Sequence, residues 1–327
     1  MIDLEQQFSS LCYHYIRTKD NEFPKILGND IDEFQKHVNM VQKKFSIISP
    51  NDIFNFYYNK GKFENKNNVL FTFDDGLSDH FEAAKLLNKH GINATFFIPT
   101  CIVEEKLPAN PIIIHYCIAK YGISKFLEFF NTALGKLNVN DDKLKISFIK
   151  GQDDPWDIIK QIKIAFKYNI HHTLAREILL DIYENSLLKD ESNIFELMHL
   201  SENQIQSMIS MGHSFGVHTH SHISVGPTEL SESEKQIELL KPKEILEKRF
   251  NISVDSFSYP FGETKDCLSE QELPSYLKEY KLIFTVDEIL NTEKTSPFEL
   301  GRYQPLSSDT TPLLQEKLTK IEKGWKN

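Results

Sequence analysis

Cysteine is scarce in this chain. The four thiols Cys12, Cys101, Cys117 and Cys267 include no Cys-x-x-Cys pair, which excludes a disulfide scaffold and a thiolate zinc ribbon and leaves reduced thiols filling core positions. Long apolar runs are missing too: no stretch approaches the ~20 residues that span a bilayer. The opening MIDLEQQFSSLCYHYI has acidic residues where a secretory signal carries positive ones, so a soluble, cytoplasmic protein is expected. There is no basic excess. With 47 Asp and Glu against 37 Lys and Arg, the formal charge is -10, which repels phosphate backbones and argues against a nucleic-acid partner. Repeats and low-complexity tracts are absent, and the Lys/Asn-rich stretch Asn59 to Asn68 reads as a solvated connector.

What is present is an alternation of short β-forming runs and helical patterns. Val69 to Phe73 is apolar and stops at Asp74-Asp75-Gly76, as a buried parallel strand stops at a functional loop. A helix over Asp79 to His90 and a strand over Ala94 to Ile98 complete a βαβ unit. The rhythm resumes with helix Gln204 to Met211, strand Phe215 to Val217 and helix Glu229 to Phe250. Strand Ser256 to Tyr259, helix Glu270 to Tyr280 and strand Leu282 to Val286 follow. This order predicts a parallel α/β barrel or sheet in a single domain over 1–327. Residues 102–200 break the rhythm and read as a mainly helical insertion, with helices at Phe126 to Leu137, Pro155 to Tyr168 and His172 to Leu188. Its Trp156, Phe126, Phe129 and Phe130 are expected in the core.

Two stretches carry chemistry. Adjacent carboxylates at the end of a buried strand raise each other's pKa unless a cation or shared proton compensates them, and a divalent metal would give Asp74 and Asp75 separate jobs. Alone, Asp-Asp-Gly reads first as a helix cap. The second stretch is Val217-His-Thr-His-Ser-His222. His218 and His222, four apart, are expected on one side of a helical turn, where both can bind one ion. Thr219 and Ser221 suit hydrogen bonds that orient the ligands, and His220 points elsewhere in a structural role.

Phe71-Thr-Phe-Asp-Asp-Gly76, Ala94-Thr-Phe-Phe97 and His218-Thr-x-x-His222 resemble the polysaccharide deacetylases of carbohydrate esterase family 4, the NodB-homology fold. The resemblance covers roughly residues 8–101 and 200–305 and implies a distorted (β/α)7 barrel. It assigns Asp74 as general base and Asp75, His218 and His222 as ligands of a divalent metal. Zinc fits this donor set, and cobalt, nickel or iron are compatible with it. Phe257-Ser-Tyr-Pro-Phe-Gly262 is similar to the family's Arg-x-Pro-[Tyr/Phe]-Gly motif with Ser258 in place of the Arg. The resemblance makes Tyr259, Pro260 and Phe261 groove residues, with the Tyr259 N–H facing the oxyanion, although a plain turn is the simpler reading of Pro-Phe-Gly. Arg302, in Leu300-Gly-Arg-Tyr, supplies a positive charge to the site or makes a surface ion pair. No histidine follows His222, whereas Leu11-Cys-Tyr-His14 resembles a motif that poly-N-acetylglucosamine deacetylases carry ahead of the Asp-Asp pair. His14 is thus the candidate general acid, expected across the metal from Asp74, with His171 or His172 as the fallback proton donor.

These roles imply hydrolysis of an N-acetylated sugar to acetate and a free amine, with a nucleotide- or lipid-linked intermediate of surface-glycan synthesis as the expected substrate. Two other readings stand beside it. One is the same fold hydrolysing a cyclic amide, and the other is a glycan-binding relic without catalysis.

Overall fold

The computed structural model describes residues 6–17, 23–139, 141, 144 and 146–322. The acidic residues at positions 1–5 lie outside these. Among the described residues no helix is long and apolar enough to cross a membrane.

Each apolar run expected to form a strand does so. The strands are β1 (Gln7–Tyr13), β2 (Ser46–Ile47), β3 (Asn68–Phe73), β4 (Thr95–Ile98), β5 (Ser214–Val217), β6 (Ser256–Ser258), β7 (Leu282–Phe284) and β8 (Asn291–Thr292). They lie in the order β7-β6-β5-β4-β3-β1-β8, with β2 beside β3. All pairings are parallel except β1 with β8. The sheet then closes on itself. Leu300 bridges Phe284 of β7 and Tyr303 bridges Leu11 of β1. Thr285 N–H donates to the Leu300 carbonyl and Cys12 N–H to the Tyr303 carbonyl, both at 2.8 Å. Six strands and the irregular segment 300–303 therefore make a distorted seven-stave barrel.

Strand alternation sorts the side chains. Phe8, Leu70, Phe97, Leu282, Phe284 and Leu300 form one apolar cluster inside the barrel. Tyr13, Phe71, Phe73, Phe96, Phe215 and Phe257 belong to the larger cluster between the staves and the outer helices. There Phe73 stacks on Phe96 at 4.5 Å and Phe96 on Phe215 at 5.9 Å between ring centres, so a row of aromatics runs across neighbouring strands.

The outer helices include Ile31–Lys44, His80–Lys89, Glu202–Ser210 and Thr311–Glu322. Ser201 and Gln204 cap the third of these reciprocally. The charged helix expected from Glu229 begins at Glu232 and reaches Phe250 through a π turn at Gln236–Leu240. The helix expected over Glu270 to Tyr280 is only Leu273–Tyr276. Pro274 in its first turn cannot continue a helix from upstream.

Between β4 and β5 the chain is mainly helical. Phe126 and Phe130 are buried and Phe129 is partly so. Trp156 is not in the core as expected but 62% exposed, because its helix Pro155–Ile164 buries the Ile158 and Ile162 stripe and leaves Trp156 off it. The helix Asn110–Tyr121 leaves no periodic signal in the sequence because it is apolar on nearly every side, with Ile112, Ile113, Ile114, Tyr116, Cys117 and Ile118 all buried. Such a segment has no 3.6-residue signature.

Gly216 of β5 pairs with Phe97 of β4, and a Cβ there would meet the Phe97 ring at 2.5 Å and Ser256 Oγ at 2.7 Å. Gly216→Ala should therefore destabilise the fold by roughly 1–3 kcal/mol, as overpacked cores do. Urea denaturation checks it; an unchanged midpoint would mean that the barrel interior is looser than this geometry.

Candidate metal centre and its cleft

The site forms where β3 ends. Asp74 continues the inward alternation of Leu70 and Thr72, and its N–H donates to the Tyr13 carbonyl at 3.0 Å. Asp75 by alternation would face outward, yet it adopts φ 81° and Gly76 follows at φ 59°. These left-handed residues turn the chain so that both carboxylates reach the barrel mouth.

The two acids have opposite partners. Arg302 grips Asp74 in a bidentate pair, Nη1 to Oδ1 at 2.8 Å and Nη2 to Oδ2 at 2.7 Å. Ser258 Oγ also donates to Asp74 Oδ2, at 3.0 Å. Arg302 itself is fully buried. It donates further to Thr72 Oγ1, Ser258 Oγ and the Thr285 carbonyl at 3.2, 2.7 and 2.9 Å, and lies over the Phe97 and Phe284 rings. Burial alone would push the Asp74 carboxyl up, but the guanidinium, helped by His218, holds it well below the usual carboxylate range. Asp74 in turn keeps the Arg302 pKa above its ordinary value against the opposing effect of burial.

Asp75 instead faces imidazoles. Its Oδ1 lies 3.0 Å from His222 Nε2 and 3.4 Å from His218 Nε2. Burial again pushes its carboxyl up, and His222 with His218 brings it well below the ordinary value. Burial lowers the His222 pKa. The histidines do not lie on a helical turn, as their spacing had suggested. No helix covers 218–222. The loop converges through left-handed Thr219 (φ 57°) and His222 (φ 64°), closed by Thr219 Oγ1 accepting the His222 N–H at 3.0 Å. Buried Glu238 clamps it from behind, accepting from the N–H groups of His220 and Ser221 at 3.0 Å each. Thr219 and Ser221 thus shape the loop backbone and do not orient the imidazoles. The Ser258 carbonyl, 2.8 Å from His218 Nδ1, orients that imidazole, while His222 Nδ1 is buried without a hydrogen-bond partner among the described residues. His220 turns away to Thr100 and Glu105.

These residues fit a divalent ion. Asp75 Oδ1 is buried and accepts no well-formed hydrogen bond, and one ligand atom from each of Asp75, His218 and His222 lies within 4.8 Å of the others. A tetrahedral zinc with bonds near 2.1 Å sets its donors about 3.4 Å apart, close to the separations of Asp75 Oδ1 from the two Nε2 atoms.

His14 follows β1 and lies near Asp74. A ring nitrogen of His14, the Cys12 Sγ and an Asp74 oxygen are all within 4.8 Å of one another, and His80 Nε2 hydrogen-bonds the His14 carbonyl at 3.0 Å. Burial pushes the Cys12 thiol well up, so it stays protonated and no thiolate competes for the site. A cavity of about 960 Å³ opens above His14, Asp74, Asp75 and His222. Phe261 lines it, with its ring edge-on to His222 at 4.9 Å. Tyr259, Pro260 and Arg302 are not among its lining residues. The expected groove roles of Tyr259 and Pro260 are corrected here, whereas the expected positive charge of Arg302 does reach the site. The Tyr259 N–H is spent on the Phe284 carbonyl at 3.1 Å, so it is closed to an oxyanion. Arg302 sits beneath the site as the partner of Asp74, out of reach of substrate and of the surface. The fallback donors His171 and His172 line the same cavity, with His172 Nε2 2.8 Å from Glu234.

Fold and site define a (β/α)-barrel protein whose ionisable groups gather at the carboxyl ends of its strands. The family model for polysaccharide deacetylases matches residues 61–273, and the chain belongs to that family. In overall structure it is similar to the Streptococcus pyogenes deacetylase PplD in complex with acetate, at 17% identity over 96% of this chain and 99% of that one, with a TM-score of 0.61. It is likewise similar to IcaB from Ammonifex degensii, at 15% identity over 96% and 97% of the two chains and a TM-score of 0.56. A de-N-acetylase from Aggregatibacter actinomycetemcomitans aligns at 10% identity over 95% and 99%, TM-score 0.56. At such identities the likeness is one of fold. No curated protein matches the chain in sequence.

Removing Arg302 would leave Asp74 buried and unpaired. Arg302→Met should cost roughly 3–5 kcal/mol at neutral pH in the metal-free protein. A carboxyl whose folded pKa is depressed contributes stability above its unfolded value and loses it as pH falls toward the folded one. The gap between wild type and variant should therefore shrink below about pH 4. Denaturation at several pH values measures it, and a pH-independent gap would show that Asp74 is not the group Arg302 serves.

Proposed function

We propose that this chain is a metal-dependent N-deacetylase that hydrolyses the acetamide of an N-acetylated saccharide, an intermediate of surface-glycan synthesis, and releases acetate. The observation that carries the reading is the division between two adjacent buried acids. The charge of Asp74 is matched by Arg302, whereas Asp75 Oδ1, buried and unsatisfied, faces the Nε2 atoms of two imidazoles.

Asp75, His218 and His222 would hold the ion, with zinc as the best fit to this donor set. Bound there, it would polarise the acetyl carbonyl and lower the pKa of water. Asp74 stays ionised because of Arg302 and takes the proton of the attacking water. Phe261, left-handed at φ 64° and lining the cavity, presents the next N–H after Tyr259, since Pro260 has none. Among the described residues that N–H donates to no other group, which suits it to the oxyanion. His14 delivers a proton to the departing amine, an otherwise poor leaving group.

The test separates metal binding from chemistry. His222→Ala should lose most of its metal by elemental analysis. Asp74→Asn should keep its metal and lose acetate release by ~10²-fold or more, and His14→Ala should lower kcat by roughly 10²-fold with metal retained. Full metal in His222→Ala would remove that ligand from the assignment, and near-normal turnover in either of the other variants would move the base or the acid elsewhere.

A further inference from the structure

Much of the cleft wall comes from the helix Pro155–Ile164 and the π turn Ala165–Asn169 that extends it. Trp156, Lys160, Lys163 and Lys167 all line the cavity, and their spacing of four, three and four places them on one helical face. Trp156 is an exposed aromatic plane in a cleft, although an indole normally finds cover. The lysines are not equivalent. Lys167 is tied to buried Asp266 at 2.9 Å, with its ammonium 4.1 Å from the centre of the Phe261 ring, and so anchors the wall to the mouth. Lys160 and Lys163 have no hydrogen-bond or ion-pair partner among the described residues. The Lys163 ammonium is near enough to feel the charge of Asp75. Of the acids lining the cavity, Asp74 is matched by Arg302, Asp75 faces the imidazoles, and Glu263 pairs with Lys265 at 2.8 Å. Among the described lining residues that leaves Glu229 as the one unmatched acid against the two ammonium groups of Lys160 and Lys163.

Two unmatched lysines beside an aromatic platform, in a chain of net charge -10, form a local field opposite to that of the whole molecule. We propose that this face binds an anionic group, a phosphate ester or a uronate carboxylate, carried next to the N-acetyl sugar: Trp156 stacks on a sugar ring while Lys160 and Lys163 hold the charge. The inference rests on the deacetylase reading for the reacting sugar, but the binding it describes does not require turnover.

Isothermal titration calorimetry and acetate release on the zinc-loaded full chain test it with three probes: N,N′-diacetylchitobiose, its 1-phosphate, and a disaccharide of N-acetylglucosamine with glucuronic acid. At least one charged probe should bind roughly 10-fold more tightly than the neutral one, the size expected of a charge-assisted contact, and about 0.5 M salt should erode the difference. The stronger of the two charged probes identifies phosphate or carboxylate as the natural group. Lys160→Gln with Lys163→Gln should bring the charged probes down to the neutral affinity, the paired Arg substitutions should retain the preference, and Trp156→Ala should weaken all three probes alike. Equal affinity for charged and neutral probes in the wild type, or a preference that survives both Gln substitutions, would overturn the proposal. If the charged preference and its loss are seen while no probe releases acetate, the anion face stands and the proposed activity fails.

Discussion

The ion pair between Asp74 and Arg302 is the interaction on which the rest of the site depends. A guanidinium with no exposure inside a barrel carries a desolvation cost of several kcal/mol. Here the cost is offset by the bidentate carboxylate, two hydroxyls, one carbonyl and two aromatic faces. Those partners come from β3, β4, β6, β7 and the segment just after β7, whereas Arg302 lies on the irregular closing stave. The pair thus fixes the closure of the barrel and the position of a reactive carboxylate together. It also decides which of two neighbouring acids is left for a cation, because the negative charge of Asp74 is already matched.

Strand alternation explains why so few residues build the mouth. The inward row of β1 ends in Cys12 and His14, that of β3 in Thr72 and Asp74, and that of β5 in His218, while β6 contributes Ser258. The opposite end of the same rows is apolar, with Phe8, Leu70 and Leu282 sealing the barrel floor. Asp75 and His222 escape alternation only through left-handed backbone, φ 81° and 64°. Strain of this kind persists where surrounding bonds over-determine it, as Thr219 and Glu238 do for the histidine loop.

What was legible in the sequence was whatever local pattern records. Apolar runs ending in acids marked the strands, and Asp74, Asp75, His218 and His222 announced themselves by chemistry and order. What was not legible depended on tertiary context. The four-residue spacing of the histidines matches a helical turn, but a loop with two left-handed residues reaches the same convergence. Local sequence does not separate a site charge from a surface pair for Arg302, because its partner lies 228 positions away. Trp156 departs from the core expectation because the buried stripe of its helix is carried by Ile158 and Ile162. The Tyr259 N–H could not be ruled out as an oxyanion donor without the β6–β7 register that consumes it.

Barrel closure also accounts for chemistry placed at the two ends of the chain. His14 and Arg302 both fall outside the matched span 61–273, one before β3 and the other after β7. In an open sheet they would lie at opposite edges. In the closed barrel β1 is a neighbour of β3 on one side and of the 300–303 stave on the other, so both residues meet Asp74 from adjacent staves. Only the circular order of staves enters this geometry. A stave moved from the end of a chain to its beginning would keep the same neighbours and present the same side chain to the mouth, provided the termini met near the same seam. A histidine placed early in the sequence can therefore reach the mouth as readily as one placed late.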